Sequence, residues 1–173
     1  GDSLFHILRI DPGKWEMKTC ALSGENQRDR RTLENWCRKF NLTAAINAGM
    51  YYKDFSTHSG YMKSGGHINN PGVVKDYKSA AAFAPYDDTL PAFKIYDLDE
   101  TDLEEITNSF DHVIQNLRLI KYPGENRWEP QNKRWSEAAL GEDSEGKALF
   151  IITGSPYSMY DFNEILLSLP IDI

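Results

Sequence analysis

The sequence predicts an α+β domain of mostly antiparallel sheets joined by hairpins, with a few packed helices. Two observations carry that expectation. Short runs of strand-forming residues are separated by turn residues at close intervals, as in Asp11-Pro12-Gly13 and Glu142-Asp143-Ser144-Glu145-Gly146. Only three stretches space their apolar residues for a helix, and each is preceded by a residue able to cap it.

The elements follow in order. Leu4 to Ile10 is rich in strand formers, and Trp15 to Cys20 alternates apolar with polar, so the two are expected to pair as a hairpin across the turn at 11–13. Ser23 to Arg31 is polar and reads as a loop. Thr32 caps a helix whose Leu33, Trp36, Cys37 and Phe40 form one stripe. Leu42 to Ile46 is a short apolar run suited to a strand buried on both faces. The chain is then turn-rich to Gly72, with a short strand at Tyr61-Met62-Lys63. Ala80 to Ala84, stopped by Pro85, and Phe93 to Tyr96 are the next strands. Thr101-Asp102-Leu103-Glu104 has the capping-box form, and Leu103, Ile106 and Phe110 supply the apolar face of the helix it opens. The acidic run from Asp97 to Glu105 is a solvated helix start, because it lacks the loop of a calcium site.

Val113 to Ile120 follows as a strand, ended by Pro123-Gly124. Ala138-Ala139-Leu140 and Ala148 to Thr153 make the clearest hairpin. Ser158 and Asp161 open a last helix with Met159, Phe162, Ile165, Leu166 and Leu169 on one stripe, closed by Pro170. No internal repeat or linker interrupts the chain, which reads as a single domain over 1–173.

Composition narrows the function. The 173 residues are 40% hydrophobic and 26% charged, which excludes disorder as the main state. Lys and Arg number 19 against 26 Asp and Glu, a net charge of −7. That balance argues against nucleic acid as a partner and against an electrostatic membrane anchor. No apolar run reaches the ~18 residues of a transmembrane segment, and no leader is visible. Cys20 and Cys37 read as two buried thiols rather than a disulfide or a metal pair.

Three places carry candidate chemistry. The first is the glycine-rich segment 46–72. There Asn47 and Gly49 turn the chain sharply and free backbone N–H groups for an anion, Asp54 and His58 are candidate acids or bases, and Lys63 a candidate phosphate ligand. An ordinary tight turn with a wide hairpin explains the same residues. The second place is Gln115, Asn116 and Arg118. Asn116 and Arg118 share one strand face, and a buried arginine there needs either an internal carboxylate or an anionic ligand. The third is Arg134 to Glu137, where Arg134 and Ser136 share a face at a strand mouth, suited to edge capping or to a site. His58 and His67 lack metal-ligand spacing, and no metal or other cofactor is expected.

The segments Ile7 to Gly13, Ala45 to Lys63, Ile114 to Ile120 and Arg134 to Pro156, running on into Asn163 to Pro170, together resemble the phosphodiester glycosidase family, most closely its bacterial branch of uncharacterised exported domains. Asn47, Gly49 and Tyr51 match the family's Asn-x-Gly-x-aromatic turn, and Gly60 the glycine that follows it. Arg118 matches a Gln-Asn-x-Arg segment, and Ser136 to Gly141 a strand-leading motif. The resemblance implies a hydrolase that cleaves a sugar-1-phosphodiester of the N-acetylhexosamine type on envelope or surface glycans. Asp54, Arg118 and Glu137 are then expected to act directly, with Arg118 on the phosphate and one carboxylate activating water. Asn47, Gly49, Tyr51, Gly60, Lys63, Asn116, Arg134 and Ser136 are expected to bind substrate. The partner is a phosphorylated saccharide, and the location secreted, periplasmic or cell-envelope. By the family's pattern the chain is also expected to stop short of one or more C-terminal strands. The alternative is a non-catalytic carbohydrate- or phosphosugar-binding module on the same scaffold, with Trp128 or Trp135 stacking on sugar rings.

Overall fold

The computed structural model describes residues 5–25 and 31–169. Within them, ten strands and three helices form layers around two facing sheets. One sheet has three strands in the order β1 (Phe5–Ile10), β10 (Ala148–Thr153), β9 (Ala138–Glu142). The other has five, ordered β3 (His67–Asn70), β2 (Met62–Ser64), β6 (Phe110–Asn116), β4 (Ser79–Pro85), β5 (Phe93–Asp97). A two-stranded ribbon joins β7 (Ile120–Lys121) to β8 (Glu125–Asn126). Every pairing is antiparallel, so the α+β expectation holds.

Side chains alternate across each strand, and the two faces of each sheet therefore do different work. Ile10, Leu140 and Ala148 of the smaller sheet meet Met62, Ala81, Phe83, Phe93 and Ile114 of the larger one to make the intersheet core. The sheets are also tied by a polar contact, since the Ile95 N–H donates to the Glu142 carboxylate at 2.7 Å. On its outer face the smaller sheet carries α3 (Met159–Ser168), where Phe162 and Leu166 pack on Ala139, Leu149 and Ile151. The larger sheet carries α2 (Leu103–Ser109), with Ile106 against Ala80, Ala82 and Val113. Helix α1 (Leu33–Phe40) is capped by the Thr32 hydroxyl, which accepts from the Asn35 N–H at 3.3 Å, and buries none of its residues.

Several expectations are corrected. β1 pairs with β10 rather than with Trp15 to Cys20, and neither 15–20 nor Leu42 to Ile46 is a strand. The N-cap of α2 is Asp102, whose carboxylate accepts from the Glu104 N–H at 3.0 Å. Phe110 opens β6 instead of lying in the helix, and β6 ends at Asn116, so Arg118 lies beyond it. In the expected 23–31 loop, residues 23–25 form a 3-10 turn and 26–30 lie outside the described residues, as do Leu4 and Pro170. Cys20 and Cys37 form no disulfide and are half-buried. Among the described residues no helix is long and apolar enough to cross a membrane.

Phe162 is fully buried and stacks on Phe5 with ring centroids 5.5 Å apart. Phe162→Ala is expected to cost about 3 to 5 kcal/mol, measured as a lower urea midpoint at unchanged slope.

Candidate functional site

The turn after Ile46 is built locally. The Asn47 side-chain oxygen accepts from the Gly49 N–H at 3.3 Å, and Gly49 has φ +142°, a region that side-chain-bearing residues rarely enter. The chain then runs out and back as a narrow loop. Tyr51 bridges His58, Tyr52 N–H donates to Thr57 O at 2.9 Å, and Ser59 N–H donates to Met50 O at 2.8 Å. Asp54 sits at the loop tip. Its carboxylate accepts from the Ser56 and Thr57 N–H groups, both at 3.0 Å, and from the Thr57 hydroxyl at 2.6 Å. These bonds hold its pKa below the usual carboxylate range.

His58, which closes this loop, is completely buried. Its backbone is held from both sides. The Asn69 side-chain oxygen accepts the His58 N–H at 2.7 Å, and the Asn70 side-chain amide donates to the His58 carbonyl at 2.7 Å. Neighbouring strand residues normally point to opposite faces. Here the β2–β3 register shifts between Met62 and Lys63, leaving Asn69 as the extra residue of a bulge, and both asparagines reach one segment. The imidazole Nδ1 lies 3.1 Å from the Gly60 N and 3.0 Å from the Gly60 carbonyl. Tyr51 packs edge-on against the ring at 5.3 Å. Burial lowers the pKa of the imidazole, so it is neutral.

The other ring nitrogen, Nε2, is buried, makes no hydrogen bond of ordinary geometry among the described residues, and faces Gly49. A Cβ on Gly49 would lie 2.5 Å from it and 2.4 Å from the Asn116 side-chain nitrogen. That same Asn116 amide donates to the Ala48 carbonyl at 3.4 Å. Turn, imidazole and carboxamide therefore close on one point. Next to Asn116, the buried Gln115 accepts from the Tyr61 and Val74 N–H groups at 3.2 and 3.1 Å and donates to the Val74 and Tyr77 carbonyls at 2.8 and 2.9 Å. A cavity of about 870 Å³ between the sheets is lined by Asn47, Ala48 and Tyr51 among others.

Of the residues singled out from the sequence, Asn47, Gly49, Tyr51, Gly60 and Asn116 gather around His58. The others are engaged elsewhere. Lys63 donates to the Thr107 and Phe110 carbonyls, both at 2.8 Å, and so ties down the end of α2. Arg118 pairs with Asp97 and, at 2.9 Å, with Asp99, which also meets Lys78 at 2.8 Å. Of the two partners open to a buried arginine, the structure supplies the carboxylates. Arg134 is exposed, 3.9 Å from Asp161, and Ser136 is exposed at the strand mouth.

Glu137 stands apart from the turn. It is buried on the same side of β9 as Ala139, towards α3, while Leu140 faces the intersheet cavity. Its Oε1 has no hydrogen-bond partner. Burial pushes its pKa up to about 7, opposed only in part by the Trp135 side chain. Asn69 and Asn70 were not legible as site residues, whereas Gln115 stands out in the sequence beside Asn116. The adjacent asparagines ahead of Pro71 read as a turn, and only the bulge aims both of them inward.

Among the described residues no group of three or more His, Cys, Asp or Glu is placed to hold a metal ion. The fold defines a class, the two-sheet α+β domain with a braced polar turn beside its intersheet cleft. Within that class a family model of phosphodiester glycosidases matches residues 40–170, about three quarters of the chain, and the chain belongs to that family. No curated protein and no solved structure matches it.

Two outcomes follow from this geometry. Gly49→Ala forces a Cβ into the imidazole and the Asn116 amide at an unfavourable φ, and should lower stability by about 2 kcal/mol or more in urea unfolding. Glu137 holds a proton in the folded state that the unfolded chain releases near pH 4.5, so its contribution to stability is lost as pH rises from there through about 7. Glu137→Gln should abolish that slope. The stability difference between wild type and variant should change by about 2 to 3 kcal/mol between pH 4 and pH 8.

Proposed function

We propose that the domain hydrolyses a sugar-1-phosphodiester, of the N-acetylhexosamine type, on envelope or surface glycans. Membership of the phosphodiester glycosidase family is the observation that carries this reading. In the reaction a water oxygen bonds to the anomeric carbon, the bond from that carbon to the phosphate oxygen breaks, and the water gives up one proton. The products are the free sugar and a phosphomonoester. The departing phosphate is a better leaving group than an ordinary alkoxide, so phosphate recognition contributes alongside proton transfer.

Asn47 and the backbone of the turn through Tyr51 are our candidates for holding the diester. The exposed carboxamide and the Gly49 bend support that role. Glu137 is poised near pH 7 but lies across the smaller sheet from the turn, so it is left out of direct chemistry there. Arg118 and Asp54 are left out of direct chemistry, because their polar atoms already have internal partners. A secreted or envelope location is part of the proposal and rests on the family resemblance.

One observation favours the second reading, a non-catalytic saccharide-binding module. Glu137 and the turn lie towards opposite faces of the three-stranded sheet. Turnover of an N-acetylhexosamine-1-phosphate methyl diester separates the two. The enzyme reading expects release of free sugar and a raised KM in Asn47→Ala. Saccharide binding by a folded protein with no sugar release would establish the module instead.

A further inference from the structure

Apolar side chains wall the cavity between the sheets, and several of them are exposed. Phe83 and Ile114 line it from the larger sheet, Leu140 and Phe150 from the smaller one, and Trp36 and Phe40 from α1. An amphipathic helix normally buries its stripe, yet α1 buries none of its residues, and Leu33 on that stripe is 47% exposed. Leu8 and Trp15, also on the lining, are 47% and 53% exposed. The volume of about 870 Å³ falls in the range of small-molecule sites.

The charge of this lining differs from that of the molecule. The chain carries −7 overall, but Arg9, Lys18 and Arg31 line the cavity against Glu16 alone. Arg9 is matched by Asp143 and Glu145, while Lys18 and Arg31 form no ion pair among the described residues. Both lie on aromatic faces of α1, with Lys18 Nζ 5.2 Å from the Phe40 ring centre and the Arg31 guanidinium 4.9 Å from that of Trp36. Asn47, Ala48 and Tyr51 of the turn line the same cavity. An apolar chamber with a cationic lining that is continuous with a polar turn matches an anionic amphiphile, a hydrocarbon chain ending in a phosphate.

We propose that the cavity takes the alcohol half of the substrate, and that this half is a long hydrocarbon chain rather than a second sugar. The inference rests on the glycosidase reading and deepens it. The substrate is a sugar-1-phosphate diester of a lipid alcohol, and the same hydrolysis releases the free sugar and an alkyl phosphate.

Two measurements on the full chain test this. The first is calorimetric binding of butyl, octyl and dodecyl phosphate. Each added methylene that enters the cavity should tighten binding about fourfold until the chamber is full. Leu8→Glu and Trp15→Glu replace half-exposed residues, and an unchanged urea midpoint verifies that each variant folds. They should weaken dodecyl phosphate at least tenfold and butyl phosphate little. A flat series, or variants without effect, overturns the proposal. A flat series together with a dimer that Trp15→Glu dissociates would assign the cavity to a second copy of the chain. The second measurement compares hydrolysis of methyl and dodecyl diesters of N-acetylhexosamine-1-phosphate. A higher kcat/KM for the dodecyl ester supports the proposal. Equal turnover of both overturns it and leaves the glycosidase reading standing. A graded binding series with neither ester hydrolysed overturns the glycosidase reading and keeps the cavity as an amphiphile site.

Discussion

An imidazole taken wholly out of water loses its hydration and must be neutral to stay there, and His58 meets that condition under the turn at 47–51. Its backbone is fixed by Asn69 and Asn70, its ring by Gly60 and Tyr51, and its outer nitrogen faces the one residue in the turn that has no Cβ. The shape of the turn is set from beneath, by packing against a rigid ring. The Gly60 carbonyl beside Nδ1 favours a protonated ring, but the loss of hydration outweighs it.

Strand β6 carries this arrangement into the rest of the fold. Three consecutive residues do three different tasks. Ile114 enters the intersheet core, Gln115 satisfies four backbone groups of the 61–77 segment, and Asn116 reaches the Ala48 carbonyl. The strand lies at the centre of the five-stranded sheet, so the turn is referenced to the most tightly held part of the molecule. Beyond Asn116 the chain leaves the sheet, and Arg118 is turned into an ion-pair cluster with Asp97 and Asp99 instead of a ligand site.

Much of the architecture was legible because it is local. The Ser158 cap and the apolar stripe after it gave α3, and the turn at 142–146 between two apolar runs gave the β9–β10 hairpin. Two apolar segments were misread for one shared reason. Trp15 to Cys20 and Leu42 to Ile46 look like strands, yet both line the intersheet cavity. An apolar pattern reports that side chains avoid water and does not say whether sheet or cleft receives them. The partner of β1 was invisible for another reason. It comes from the far end of the chain, and only tertiary packing selects it over a nearby hairpin. For the candidate site, the Asn-x-Gly-x-Tyr turn could be read, whereas the burial of His58 could not, because a bulge one hairpin away creates it.

The neutrality of His58 supports the account of the turn, and nuclear magnetic resonance of its ring nitrogens across a pH titration measures it directly. The ring is expected to keep one tautomer and to gain its proton only below pH 6.5, the ordinary histidine value. A ring that gains its proton at or above 6.5 while the fold persists would mean that burial does not hold His58 neutral beneath the turn.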